Sequence, residues 1–190
     1  MKKLLFTLFA VGLLLLACSQ PPDEEMNRAI EAVSRAENDG NAVKYASDYL
    51  SRARDAIAKM QEEADSKRFD AAKNYAADAI SYAEKAISEG AIGALRARDE
   101  ALTLLNSLRT PLAETEANLN AAKELENIEL DFALLGGMME AAKGTYENAR
   151  QSLSAGDSAD AIDKGNAVRS LLGTINAQIS NAAFTVSRKK

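Results

Sequence analysis

Apolar and small side chains recur every three or four positions through most of this chain, the spacing of one buried helix face. No stretch of four or more residues alternates in the period-two manner of a strand of β-branched residues. After Pro22 the only proline is Pro111, so little interrupts helical periodicity. Punctuation divides the body into five helices. The first runs from about Asp23 to Asn38, with Ile30 and Val33 on one face, and stops at Asn38-Asp39-Gly40. The second opens near Asn41 and runs to about Ser66, with Tyr45, Tyr49, Ala53, Ala56, Ile57 and Met60 as its apolar stripe. The third spans Phe69-Asp70 to Leu108. A fourth is expected from Thr110-Pro111, read as an N-cap followed by proline at the first helical position, to about Ala155. After Gly156-Asp157, with Asp157 as N-cap, a fifth runs from Ser158 to about Val186.

The expected fold is all-α, an elongated antiparallel helical bundle. A turn at Arg109-Thr110 makes the third and fourth helices antiparallel neighbours. At about 40 and 45 residues each would be roughly 60 Å long. Gly90-Ala91-Ile92-Gly93 and Gly136-Gly137 are each a kink, a break or a place where helices approach closely. Shifting the sequence by 89 positions places Ala53 on Ala142, Ala72 on Ala161, Ala76 on Gly165, Ala79 on Val168 and Ala83 on Leu172. This suggests an internal repeat, about 50–87 and 139–176, whose two hairpins form a four-helix bundle end. The intervening segment, about Glu89 to Asp131, becomes a long projecting two-helix hairpin. Its arms carry Leu95, Leu102, Leu105 and Leu108 opposite Leu112, Leu119, Ile128 and Phe132, close to a coiled-coil seam.

The N-terminus departs from this pattern. Lys2 and Lys3 precede an apolar run from Leu4 to Ala17, interrupted only by Thr7 and Gly12. About 14 residues is short for a bilayer span of roughly 20 and fits the apolar region of a signal peptide. Leu15-Leu16-Ala17-Cys18 resembles the lipobox of bacterial lipoproteins, Leu16 being bulkier than the usual residue there. The resemblance implies a signal peptide over 1–17, lipidation of Cys18 as the first mature residue, and a tether over 18–25 ahead of a single helical domain over 26–190. Several acyl chains on one Cys make a stable anchor. Ser19, where Asp would argue for retention at the inner membrane, favours the outer membrane by the same resemblance.

Composition narrows the chemistry. The 190 residues include no His and no Trp, a single Cys, and a formal net charge of −5. Loss of Lys2 and Lys3 with the signal makes that charge two units more negative. Without His, the commonest general base and metal ligand are absent, which excludes His-containing zinc sites, His-carboxylate di-iron bundles and Ser-His or Cys-His nucleophile systems within this chain. One Cys allows neither an internal disulfide nor a thiolate cage. The acidic balance gives no footprint for nucleic acid. No metal, cofactor or small-molecule substrate is expected.

Between Ala29 and Ala86 the chain carries Ala29, Ala32 and Ala36, then Val43-Lys44-Tyr45-Ala46, Leu50 with Ala53, Phe69-Asp70-Ala71-Ala72, and Ala76, Ala79, Ala83 and Ala86. This resembles a helical-hairpin domain of unknown function found in bacterial envelope lipoproteins of spirochaetes and proteobacteria. There it often stands ahead of an OmpA-like peptidoglycan-binding domain, which is absent here. The resemblance implies an envelope role and brings no catalytic residues.

Several clusters invite sharper readings. Asp157, Asp160 and Asp163 lack the spacing of a calcium loop and suit a helix N-terminus. Glu124, Glu126, Glu129 and Asp131 read as a solvated helix face. Tyr45 with Tyr49, and Tyr75 with Tyr82, lie on facing sides of the second and third helices, as packing or as an aromatic platform for a sugar. The ending Ser187-Arg188-Lys189-Lys190 complements a helix dipole. It also resembles the basic tail of murein lipoproteins, which implies Lys190 as a peptidoglycan attachment point.

The function expected is that of a non-enzymatic, lipid-anchored envelope protein, outer membrane favoured, acting as a scaffold, spacer or docking surface. Its partners are the membrane, through the anchor, and an envelope protein or peptidoglycan, with a partner-binding arm carrying Leu102, Leu105, Asn106, Leu108 and Leu112. The alternative is a binding module holding a glycan, peptidoglycan or lipid ligand between bundle helices.

Overall fold

A computed structural model describes residues 21–125 and 128–188. The signal segment, Cys18, Glu126 and Lys190 lie outside the described residues. Six α-helices account for most of the rest: α1 (Asp23–Asn38), α2 (Gly40–Tyr45), α3 (Ser47–Asp65), α4 (Phe69–Lys123), α5 (Phe132–Ser154) and α6 (Ser158–Arg188). The all-α expectation holds. Packing divides the helical body, read from sequence as one domain over 26–190, into two compact units that meet between Gly93 and Ala94, inside α4.

The first unit contains α1, α2, α3 and the start of α4. Asp23, Glu24 and Glu25 in the first turn of α1 complement its dipole. Asp39 caps α2, its carboxylate accepting from the amides of Asn41 (2.9 Å) and Ala42 (2.8 Å). The single helix expected from Asn41 to Ser66 is broken at Ala46 (φ −136°), whose amide still donates to the Ala42 carbonyl at 2.9 Å. The core is built largely from methyl groups: Ala29, Ala32 and Ala36 on α1, Ala53 and Ala56 on α3, Ala76, Ala79, Ala83 and Ala86 on α4, with Leu50 and Met60 as the larger members. Such small faces permit interaxial distances near 8 Å. Closest of all, α2 lies on α4 at Gly90, where a Cβ would fall 2.6 Å from the Ala42 amide nitrogen, and at Gly93, where it would fall 2.5 Å from Tyr45 Cβ. Of the three readings open for Gly90 and Gly93, close approach is the one realised.

The second unit consists of the rest of α4 with α5 and α6. Its core is of larger side chains: Leu104, Leu105, Leu108 and Leu119 from α4, Leu135 and Met139 from α5, and Val168, Leu172 and Ile175 from α6. Thr115 is a polar residue buried among them, its Oγ1 accepting from the Nδ2 of half-buried Asn176 at 2.7 Å. Gly136 and Gly137 lie inside α5 with nothing within 4 Å of a built Cβ, so they mark neither a break nor a close approach.

The expected start of a separate helix at Thr110 is overturned. No turn forms at Arg109-Thr110: α4 continues through Pro111 to Lys123, and the chain reverses only between Lys123 and Phe132. Proline in a helix interior removes one hydrogen bond and crowds the carbonyl four residues back, at a cost of about 3 kcal/mol. Here the apolar register decides the matter. Leu104, Leu105, Leu108, Thr115, Leu119 and Ala122 are all buried and keep their spacing across Pro111, and a reversal at residue 109 would take half of that face out of the core. Leu105, Leu108, Leu112 and Leu119 therefore line one side of a single helix instead of facing one another across a hairpin, and the projecting arm does not form. The two hairpins expected to share a four-helix bundle instead contribute to separate cores.

Each unit contains a helical hairpin closed by the same turn. In the first, Lys67 N–H donates to Ala64 O (2.9 Å) and Arg68 N–H to Glu63 O (2.8 Å). In the second, Gly156 N–H donates to Leu153 O (3.1 Å) and Asp157 N–H to Ser152 O (2.9 Å). Both are Schellman motifs with a left-handed residue after the helix. The bonds that open the following helices, Ala72 to Arg68 and Ala161 to Asp157, also match at a separation of 89 residues.

Candidate functional site

The side chains with chemistry to offer mostly serve the fold. Asp157 caps α6, its Oδ1 accepting from the Asp160 amide at 3.3 Å, and Asp160 is ion-paired to Lys164. Glu124 follows the end of α4, Glu129 lies in the connection before α5, and Asp131 caps α5 by accepting from the Leu134 amide at 2.9 Å. The acidic cluster is thus not one helix face. No group of three or more potential metal ligands occurs among the described residues. Tyr49, Tyr75 and Tyr82 pack at the rim of the first core, each with a cation over its ring, Arg52 at 5.7 Å, Lys59 at 5.7 Å and Lys85 at 6.0 Å. Ser152, Asp160 and Lys164 form a compact triad in which Lys164 donates to Ser152 Oγ at 2.9 Å. Lys164 also donates to Asp160, so the triad ties α5 to α6.

A different feature stands apart. In the second unit, α4 and α5 border an open groove of about 500 Å³. From α4 come Arg98, Leu102, Leu105, Asn106 and Arg109, and from α5 come Tyr146, Glu147, Arg150, Leu153 and Ser154. The α4 residues stand four, three, one and three positions apart, which keeps them on one stripe. Leu105 is buried and forms the floor, whereas Leu102 is 41% exposed. Tyr146 is locked across the floor by its hydroxyl, which donates to the Leu105 carbonyl at 3.2 Å. Arg150 bonds Glu147 at 3.1 and 3.2 Å. Arg98 and Arg109 have no side-chain hydrogen bond or ion pair among the described residues. Chemically the groove is an apolar bed edged by guanidinium groups.

Three of the five residues assigned to a partner-binding arm, Leu102, Leu105 and Asn106, line this groove. The other two do not: Leu108 is buried in the core and Leu112 is half-buried against it. Asn106 sits mid-helix and not at a tip. Missed altogether were Arg98, Arg109, Tyr146 and Arg150. The two α4 arginines were legible, since they share the helical stripe of Leu102. Tyr146 and Arg150 required knowing that α5 packs alongside.

Among the described residues no helix is long and apolar enough to cross a membrane. Residues 24–102 match the model of a family described as a domain of unknown function, DUF4398, so the match spans all of the first unit's helices and the opening turns of the second unit's share of α4. No curated protein and no solved structure matches the chain.

Proposed function

We propose that this chain is a non-enzymatic, lipid-anchored protein of the bacterial envelope whose helical body is a docking surface. The anchor reading rests on the sequence Lys2-Lys3, the apolar run to Ala17 and Cys18, with Ser19 favouring the outer membrane. The match to a domain of unknown function is compatible with it and adds no activity. The docking reading is carried by the α4–α5 groove, where an exposed leucine lies beside two arginines that the fold itself does not use. Isolated exposed leucines are ordinary on protein surfaces; the place of Leu102 in a groove beside two arginines that have no ion pair among the described residues is what supports a recognition role here.

Metabolic labelling with an alkyne fatty acid tests the anchor: label on the wild-type chain and none on Cys18→Ser is the expected result, and equal labelling of both removes Cys18 as the lipidated residue. Photo-crosslinking from position 102 in intact cells tests docking. A discrete adduct that disappears when the crosslinker is moved to buried Leu108 supports it. No adduct at position 102 overturns it.

A further inference from the structure

The charges around the α4–α5 groove run against those of the chain. Arg98, Arg109 and Arg150 face a single acid, Glu147, in a protein of net charge −5. The opposite flank of α4 shows the reverse. There a groove of about 410 Å³ between α4 and α6 is lined by Asp99 and Glu100 with Arg169 as its one cation. The two grooves that flank this part of α4 therefore differ in charge, three arginines and one acid lining the first and two acids and one arginine the second, so the first presents a local positive potential on an acidic chain.

The arginines are also spread out. Arg98 and Arg109 stand eleven positions apart on α4, about 16 Å at 1.5 Å per residue, and Arg150 is on the facing wall. A compact anion such as a lone phosphate meets one of these positions well and leaves the far one unmatched. A helix that repeats its carboxylates turn by turn meets all three. Between the cations the bed is apolar: Leu102 exposed, Leu105 and Tyr146 beneath, Leu153 on the far wall. Leu95, 61% exposed, continues the same α4 stripe two turns before Leu102. Two helices side by side present the trough into which a third helix packs by ridge and groove.

We propose that the groove takes an acidic amphipathic helix of a partner polypeptide, its leucine-type stripe seated on Leu102, Leu105 and Leu153 and its carboxylates paired with Arg98, Arg109 and Arg150. This rests on the docking reading above and names the chemistry of the docked segment. Guanidinium groups suit the task, because each engages a carboxylate through two parallel N–H donors.

The test uses the full chain in non-ionic detergent and a fluorescein-labelled peptide of about 18 residues, long enough to become helical on docking. It carries leucine at helical spacing flanked by glutamate. A twin carries lysine in place of glutamate. Fluorescence anisotropy is expected to show saturable binding of the glutamate peptide and binding weaker by about tenfold or more for the lysine twin. The double variant Arg98→Glu, Arg109→Glu should reverse that preference. Both arginines are exposed and lack partners, so circular dichroism should be unchanged; if it is not, Leu102→Ser supplies a second variant expected to lose about tenfold for the glutamate peptide. Equal binding of the two peptides, no binding of either, or glutamate-peptide binding that survives the double variant overturns the proposal. So does an arginine-dependent association with phosphatidylglycerol vesicles in the absence of peptide binding, which assigns the groove to lipid headgroups. The two readings fail separately. Crosslinking in cells without charge discrimination in vitro keeps docking and removes the acidic helix. Charge-selective peptide binding without crosslinking in cells does the opposite.

Discussion

Lys67 and Gly156 stand 89 residues apart and do the same job. Each is the left-handed residue that ends a helix, with φ of 57° and 86°, and each donates its amide to the carbonyl three residues back. The second turn uses the residue that enters this region without steric penalty. The first uses a lysine, whose Cβ crowds its own backbone there.

Lys67→Gly should therefore stabilise the first unit by about 1 kcal/mol, and Gly156→Ala should destabilise the second by a similar amount. Urea unfolding followed by circular dichroism reads both. A change of the same sign in the two variants would contradict the equivalence of the turns.

Gly90 is constrained from outside the helix. With Ala42 N and Cα at 2.6 and 2.7 Å from a built Cβ, Gly90→Ala pushes against backbone that has no rotamer to change, and a loss of about 1–3 kcal/mol is expected. Gly144, inside α5 with nothing within 4 Å, supplies the contrast: Gly144→Ala should gain about 0.5–1 kcal/mol from helix propensity alone. Denaturant midpoints of the two variants should move in opposite directions.

Pro111 separates two architectures in one experiment. At the first position of a helix, as the sequence suggested, a proline is favourable and Pro111→Ala is neutral or harmful. In the interior of α4, alanine restores the donor to the Ser107 carbonyl and relieves the ring, giving a gain of up to about 3 kcal/mol. A fall in melting temperature for Pro111→Ala would count against the continuous helix.

Two half-exposed ion pairs make the units respond to opposite ends of the pH scale. The Arg68 side chain, through its hydrogen bonds to Glu63, holds the Glu63 carboxyl below its ordinary 4.5. A depressed acid stabilises the fold above that value, and the contribution disappears as pH falls through the lowered one. Hydrogen bonds to Glu116, then Glu140, hold Lys143 above its ordinary 10.5, so its contribution is complete below that value and disappears as pH rises through the raised one. Melting temperature against pH should flatten on the acid side in Glu63→Gln and on the alkaline side in Lys143→Met, and both differences should shrink with added salt.

The parts of the fold written in local chemistry were legible from sequence. The end of α1 followed from Asn38-Asp39-Gly40, and Asp157 was recognised as a cap because side-chain capping is a short-range interaction. What depended on packing was not. Thr110-Pro111 has the chemistry of a helix start, and only the burial of Leu119 and Ala122 in register with Leu104 and Leu108 overrides it. Ala46 carries no breaking signal; α2 parts from α3 there and lies against Gly90 of α4. The groove was half visible for the same reason: Leu102, Leu105 and Asn106 belong to one helix, whereas Tyr146 and Arg150 arrive from another.

The alanine faces of the first unit have a consequence for how the chain can diverge. A methyl-sized position surrounded by methyl-sized neighbours has no neutral exchange in either direction: growth overpacks by about 1–3 kcal/mol, and reduction to glycine forfeits about 0.8–1 kcal/mol of helix propensity. Leucine, isoleucine and methionine in the second unit interchange for less than about 1.5 kcal/mol. Drift should accordingly be arrested along Ala29–Ala86 and permissive along Leu104–Ile175, which leaves the half carrying the arginine groove as the one whose sequence is freer to change from lineage to lineage.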